Sequence, residues 1–144
     1  MVPRDKAINF MTIDFDKYSV FVDAVTSDSS KDFVYLADRL VELDRKGANI
    51  ERLTTSGVGL AAESGEFLEI VKKMVFQGKP WNDDNRAHLI IELGDVMWYV
   101  ANACIALDIS FDEVIKRNVK KLEKRYPGGS FDIHDSENRA ADDL

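Results

Sequence analysis

Two pairs of carboxylates stand at helical spacing in the middle of the chain. Glu63 and Glu66 are three residues apart, and so are Glu92 and Asp95. Residues three apart lie on the same face of a helix, so each pair can direct two carboxylates toward one point. Hard oxygen ligands of this kind favour Mg²⁺ or Mn²⁺. The spacing therefore predicts two helices that share a site for divalent cations.

The surroundings of the second pair strengthen this prediction. Apart from Tyr99 and Cys104, the only ionisable groups in the apolar stretch from Leu89 to Leu107 are this pair's two carboxylates. Carboxylates buried without a cationic neighbour are costly, so a bound cation is expected to neutralise them. The stretch is long enough to span a membrane, but each acid would cost about 2.5–3.5 kcal/mol at a bilayer centre. We therefore predict a cytoplasmic protein with no membrane partner.

Composition narrows the class of protein further. The chain has 144 residues, of which 45% are hydrophobic, and a formal net charge of −7. This length suits one globular domain with a sizeable core. Because non-specific nucleic-acid binding depends on basic patches, the acidic charge argues against a nucleic-acid partner. A single cysteine, Cys104, excludes an internal disulfide and is interpreted as a small core residue.

The elements that must position the carboxylates are predicted to be helices. Apolar residues recur at helical spacing in several stretches, while no strand pattern or hairpin signal competes with them. The third helix should cover about residues 50–76 and the fourth about residues 85–107, separated by Gly78 and Pro80. Capping boxes are predicted at Ser29 with Asp32 and at Ser110 with Glu113, before the second and fifth helices. The predicted fold is an all-α, four- or five-helix bundle. The predicted organisation is a leader at 1–14, a single all-α domain at 15–131 and an acidic tail at 132–144.

The helical wheel of the third helix separates its acids. Glu63 and Glu66 fall at the edge of the apolar arc, whereas Glu69 falls on the solvent side. Gly65 and Gly94 each lie beside a carboxylate pair, where a missing side chain allows close helix approach or room for a ligand. If the third and fourth helices run antiparallel, all four carboxylates converge.

A di-iron site is the alternative metal centre for a helical bundle. Such sites use Glu-x-x-His on their metal-binding helices, and neither carboxylate pair has that histidine. His88 lies four residues before Glu92, but the other helix offers no equivalent. An all-carboxylate site favours Mg²⁺ or Mn²⁺ over iron, and His88 is interpreted as a structural or surface residue.

Three sequence blocks in this order resemble a known family. The blocks are GLAAESGEFLEIVKK, ELGDVMWYVA and NVKKLEKRYPGGSF. Together they are similar to the MazG-like branch of the all-α nucleoside triphosphate pyrophosphatases, over about residues 50–131. The resemblance implies the helical fold of that superfamily and a homo-oligomer, either a dimer or a tetramer, of which we favour a homotetramer. It also implies a bacterial or phage source.

The resemblance implies a reaction as well. A nucleoside triphosphate, expected to be a deoxynucleotide, would be hydrolysed to the monophosphate and pyrophosphate by metal-activated water attack at the α-phosphorus. The cofactor would be Mg²⁺, or Mn²⁺, with two or more ions per site. By the family's motif the metal ligands would be Glu63, Glu66, Glu92 and Asp95. Glu63 or Glu66 would also orient or deprotonate the attacking water.

Further substrate contacts follow from the same resemblance. The residues expected to contact phosphate are Asn118, Lys121, Arg125 and Lys73, and Asn118 is expected to be a buried amide on the apolar stripe of its helix. Trp98 and Tyr99 are candidates to stack on the base, although aromatic residues at this spacing also suit a core or an interface.

Two alternatives remain open at this point. The chain could be a related pyrophosphatase specific for one base, such as that of dGTP, dCTP or dUTP. It could instead be a non-catalytic helical oligomer that binds metal, which the apolar fourth helix and the acidic tail would suit.

Overall fold

The structure is a computed structural model that describes residues 14–138. Every regular element in this range is helical, which confirms the all-α fold class. The elements are α1 (Phe15–Val25), a 3₁₀ turn (Asp28–Ser30), α2 (Phe33–Arg45), α3 (Ile50–Phe76), α4 (Asp83–Ala106), α5 (Phe111–Arg125) and α6 (Ile133–Glu137). The chain divides into two compact units, with the boundary between Glu42 and Leu43.

The first unit contains α1 and most of α2. The N-terminus of α2 is capped by Asp32, whose Oδ1 accepts hydrogen bonds from the backbone N–H groups of Val34 (2.8 Å) and Tyr35 (3.3 Å). The predicted capping box is therefore wrong in its first residue. Asp32 itself caps α2, and Ser29 lies in the 3₁₀ turn before it. The large apolar side chains of this unit are exposed, including Phe33 at 81%.

In the second unit, local signals set the ends of the long helices. Asn49, Asn82 and Ser110 cap α3, α4 and α5 by accepting a backbone N–H three residues ahead. Gly78 has a φ of +71° just after α3, a conformation that favours glycine and ends the helix. The helix ends predicted near residues 76, 85 and 110 are thus explained by the backbone conformation of Gly78 and by the caps at Asn82 and Ser110.

The helices α3 and α4 run antiparallel along each other. Arg52, near the start of α3, bonds to Asn102, near the end of α4. The ring of Tyr99 on α4 packs against Gly59 on α3, where an added Cβ would lie 2.0 Å from the ring. By contrast, an added Cβ at Gly65 or Gly94 would meet nothing within 4 Å. Of the two alternatives predicted for these glycines, close helix approach or room for a ligand, this open space favours the second.

Much apolar surface on this pair of helices remains open. The buried apolar residues among 14–138 are Ile70 and Cys104, whereas Ile91 on α4 is 61% exposed. Within the second unit, neither α5 nor α6 packs along α3 or α4 as these two pack along each other. Closure of the predicted bundle, and its oligomeric state, therefore stay predictions.

Two further features bear on the sequence predictions. Among residues 14–138, α4 is the one helix long and apolar enough to span a membrane, a property that core helices of soluble proteins share. The predicted acidic tail begins with α6, a short helix capped by Asp132, which accepts the backbone N–H of Asp135. Residues 1–13 of the predicted leader and residues 139–144 of the tail lie outside the described residues.

Candidate metal centre

Three carboxylates meet between α3 and α4. Glu63 comes from α3, and Glu92 and Asp95 come from α4. One oxygen of each lies within 4.8 Å of the others. Glu92 is only 6% exposed, Glu63 is half-buried, and Asp95 is exposed. The antiparallel packing of the two helices thus brings together three of the four carboxylates that the sequence singled out.

The electrostatics of this cluster favour a bound cation. Burial raises the pKa of the Glu63 carboxyl, and the negative charges of Glu66, Asp95 and Glu92 raise it further. Such a set of oxygen ligands, held close together with a surplus of negative charge, fits a hard divalent cation such as Mg²⁺ or Mn²⁺. The fit rests on the donor chemistry and on the repulsion that a cation would relieve.

Glu66 lies on the edge of this cluster. It contributes to the raised pKa of Glu63, and it lines a groove of about 330 Å³ between α3 and α4. Gly65 also lines this groove, and because it has no side chain, the space beside it is open. The sequence prediction of room for a ligand beside the first carboxylate pair thus corresponds to an actual groove.

His88 holds one of the three carboxylates in place. Its Nε2 lies 2.9 Å from Oε1 of Glu92, and the imidazole donates its N–H because the carboxylate can only accept. Such contacts orient metal-binding carboxylates and tune their affinity. The sequence interpretation of His88 as a structural or surface residue missed this contact. The signal was present, since positions four apart on a helix face each other.

The lysines near the first pair do not neutralise it. Lys72 and Lys73 both bind Glu69, with Lys73 Nζ 3.3 Å from Oε1 of Glu69. Hydrogen bonds from Lys72, and then from Lys73, lower the pKa of the Glu69 carboxyl. The helical wheel places Glu69 on the solvent side. Its side chain is 43% exposed and also lines the groove. The cluster around Glu63 therefore keeps its surplus negative charge.

The predicted phosphate contacts are divided between two places. Lys73 lines the groove beside the cluster. Asn118, Lys121 and Arg125 lie on α5, and none of them lines that groove. Asn118 is exposed, so the expected burial of its amide is wrong within one chain, because α5 does not pack along α3 or α4. The contacts of these three residues with phosphate stay predictions.

The two aromatic residues after Asp95 have different environments. Their rings meet edge to face, with centroids 4.7 Å apart and planes at 89°. Tyr99 lies against Gly59 in the interface between α3 and α4, whereas Trp98 is 58% exposed. Tyr99 thus has a packing role, and the stacking of either ring on a base stays a prediction.

Comparisons with known proteins place this geometry in a family. The family model described as "MazG nucleotide pyrophosphohydrolase domain" matches residues 52–130, which include the whole carboxylate cluster. A relative, the gene 37 protein of Mycobacterium phage L5, is 41% identical over 83 residues, covering 56% of this chain and 72% of the relative. No solved structure matches the chain.

Proposed function

The chain belongs to the MazG nucleotide pyrophosphohydrolase domain family, and from this premise we propose that it hydrolyses a nucleoside triphosphate to the monophosphate and pyrophosphate. Deoxynucleoside triphosphates are the proposed substrates. The observation that carries the proposal is the meeting of Glu63, Glu92 and Asp95 between α3 and α4. A site of this composition suits an anionic substrate only when cations accompany it, as triphosphate hydrolysis requires.

The three clustered carboxylates, with Glu66 beside them, would hold two or more Mg²⁺ or Mn²⁺ ions. When bound, such ions offset phosphate charge and lower the pKa of bound water. The raised pKa of Glu63 supports this assignment, because the cluster binds protons more readily than an isolated carboxylate and would bind a cation in their place. His88 would keep the Glu92 carboxylate oriented toward the cluster.

The remaining chemistry falls to side chains around the groove. Glu66, or its neighbour Glu63, would orient the attacking water and accept its proton, because Glu66 lines the groove and Glu63 belongs to the cluster beside it. The water attacks the α-phosphorus, and pyrophosphate leaves. Lys73 would donate to a phosphate oxygen from the groove wall, in exchange for its contact with Glu69.

A homo-oligomer, a dimer or a tetramer, is part of the proposal. Its support is the apolar surface of α4, which one chain leaves exposed at Ile90, Ile91 and Leu93. Further helices packed on this surface would close the bundle and could bring Asn118, Lys121 and Arg125 of α5 to a phosphate. The mass in solution, measured by light scattering, tests this part, and a monomer at working concentration would contradict it.

The experiment that tests the activity measures pyrophosphate release from the common ribo- and deoxynucleoside triphosphates, first with Mg²⁺ and then with a chelator. We expect turnover that the chelator abolishes. Asp95→Ala and Glu66→Ala should abolish release while circular dichroism still reports a helical protein. The matched control is Asp112→Ala, which removes an exposed acid of α5 that binds Lys116. Full activity in the Asp95 or Glu66 variant would remove the mechanism.

The same panel separates the alternatives. Turnover confined to one base would favour a pyrophosphatase specific for dGTP, dCTP or dUTP. Metal binding without turnover of any triphosphate would favour a non-catalytic metal-binding oligomer, to which the exposed apolar residues of α4 are also suited.

A further inference from the structure

A second polar groove lies on the pair α3–α4, away from the carboxylate cluster. It has a volume of about 360 Å³ and is lined by Asn49, Glu51, Arg52, Thr55 and Asn102. Nη1 of Arg52 donates to Oδ1 of Asn102 at 2.7 Å. The amide of Asn102 in turn donates to the backbone carbonyl of Trp98 at 3.0 Å. The groove therefore has a cationic side chain that is held in place across the helix interface.

Most of the donors of Arg52 are left for a ligand. Among residues 14–138, its guanidinium makes this one hydrogen bond and has no carboxylate within ion-pair distance. The carboxylate of Glu51, on the same groove, likewise has no ion pair within the described range. The groove thus offers a planar set of donors and a charged acceptor next to each other.

The groove and the metal centre share one seam between the helices. Asn102 follows Asp95 by seven residues, which is two helical turns on the same face and about 10.5 Å along the axis. On α3, Arg52 precedes Glu63 by three turns, also on the same face. Tyr99 lies between the two sites, against Gly59. A nucleotide with its phosphates at the metal centre would extend along this seam toward the groove.

We propose that this groove binds the base of the triphosphate and selects guanine or cytosine, an inference that rests on the proposed function. The fork of Arg52 donates to two adjacent acceptors, which are O6 and N7 in guanine or O2 and N3 in cytosine. Glu51 accepts from the amino group that both bases carry. Adenine has no exocyclic acceptor for the fork, and thymine has no amino group for the carboxylate.

The test compares kcat/KM for dGTP, dCTP, dATP and dTTP in the wild type and in two variants. We expect the wild type to favour dGTP or dCTP, and the favoured one identifies the base. Arg52→Ala should lower kcat/KM for the favoured triphosphate by about 10–100-fold, the discrimination typical of one bidentate contact, and leave dATP and dTTP unchanged. Glu51→Gln should reduce the same preference while leaving the hydrogen bond between Arg52 and Asn102 intact.

Controls separate base selection from general damage. Arg117→Ala removes an exposed arginine of α5, bound to Glu113, and should keep the wild-type preference. Mn²⁺ affinity, measured by calorimetry, should be unchanged in the Arg52 and Glu51 variants. Because Glu51 is exposed and forms no ion pair in the described range, its variant should fold even if Arg52→Ala does not.

The outcomes distinguish this inference from the proposed function. Equal kcat/KM for the four triphosphates, or an equal loss for all four in Arg52→Ala and Glu51→Gln, would overturn base selection and leave the pyrophosphatase intact. If the wild type turns over no triphosphate, the proposed function fails. Calorimetric binding of dGMP, dCMP, dAMP and dTMP then tests the groove itself, and equal affinities or no binding would overturn it.

Discussion

Two regions of α3 place the same residue type in opposite environments. In the middle of the helix, burial and neighbouring acids raise the pKa of the Glu63 carboxyl. Nearer its C-terminus, hydrogen bonds from Lys72 and Lys73 lower the pKa of the Glu69 carboxyl. The two glutamates are six residues apart on one helix. Their neighbours, rather than their type or their helix, decide which of them is suited to bind a cation.

The glycines of α3 show the same difference. Gly59 faces α4, where an added Cβ would lie 2.0 Å from the Tyr99 ring. Gly57, two residues earlier, has nothing within 4 Å of an added Cβ. We call the face of α3 that packs on α4, with Gly59 and Glu63, the seam. Substitutions on the seam should be costly, and those at Gly57 and Glu69, which lie outside it, should be mild.

The largest contrast is expected in activity. Glu63→Gln should lower pyrophosphate release by more than the 10–100-fold typical of residues that only support a metal ligand, because it removes a ligand itself. Glu69→Gln, the matched change outside the seam, should keep most of the activity. Initial rates with Mg²⁺ measure both variants. Similar losses in the two variants would mean that the seam has no special role in the reaction.

The next contrast concerns metal affinity. His88→Ala should weaken Mn²⁺ binding by about 10–100-fold, because Glu92 loses the group that orients it. His88→Gln can still donate an N–H from a similar position and should recover part of the affinity. Lys116→Ala, an exposed residue of α5 paired with Asp112, is the control and should bind Mn²⁺ like the wild type. Electron paramagnetic resonance of free Mn²⁺ gives the affinities, and an unchanged value in His88→Ala would show that the contact is incidental.

A third contrast concerns stability. Gly59→Ala should destabilise the fold by about 1–3 kcal/mol, because the new methyl group displaces Tyr99 from the seam. Gly57→Ala should stabilise it by up to about 1 kcal/mol, since alanine is the better helix former and meets no neighbour. Urea unfolding followed by circular dichroism measures both. A mild effect at Gly59 would indicate that α3 and α4 can separate at little cost.

The smallest contrast is in the pH dependence of the metal-free protein. Because the pKa of Glu63 is raised on folding, its charged form opposes folding at neutral pH, and this penalty fades as the pH falls. Glu63→Gln should therefore raise the melting temperature at pH 7 and have less effect in acid.

Glu69 should behave in the opposite way. Its lowered pKa contributes stability that is present at neutral pH and is lost as the pH falls through the folded-state pKa. Glu69→Gln should thus lower the melting temperature at pH 7, slightly, because the group is partly exposed. Thermal melts in chelator at pH 7 and pH 4 compare the two variants. Shifts of the same sign at pH 7 would contradict the assigned environments.

Local features of the fold were readable in the sequence. The cap at Ser110 and the glycine after α3 act within a few residues, so that sequence spacing alone reveals them. The same holds for the second carboxylate pair, whose acids stand out in an apolar stretch. The cap at Ser29 was misplaced by three residues, because the backbone N–H of Asp32 donates to the Asp28 carbonyl in the 3₁₀ turn, and the helix begins after Asp32, which accepts from Val34 and Tyr35.

The missed features depend on contacts that spacing does not specify. A helical wheel placed Glu69 toward solvent, but the side chain lines a groove whose other wall is α4. Asn118 was expected to be buried, but α5 does not pack along α3 or α4 within one chain. The close approach at Gly59 went unrecognised, since three other glycines of α3 and α4 are equally plausible from sequence alone.

The sequence by itself determined the helical class, the ends of α3 and α4, the family and the four acids that could bind a cation, because each depends on short-range periodicity or on an ordered motif. Only the tertiary structure decided that Glu63, Glu92 and Asp95 meet. It also decided that His88 contacts Glu92 and that Lys72 and Lys73 both form ion pairs with Glu69. The physical reason is that spacing fixes which residues share a face of one helix. The rotation and offset of two packed helices decide which faces meet, and these follow from packing such as that of Tyr99 on Gly59.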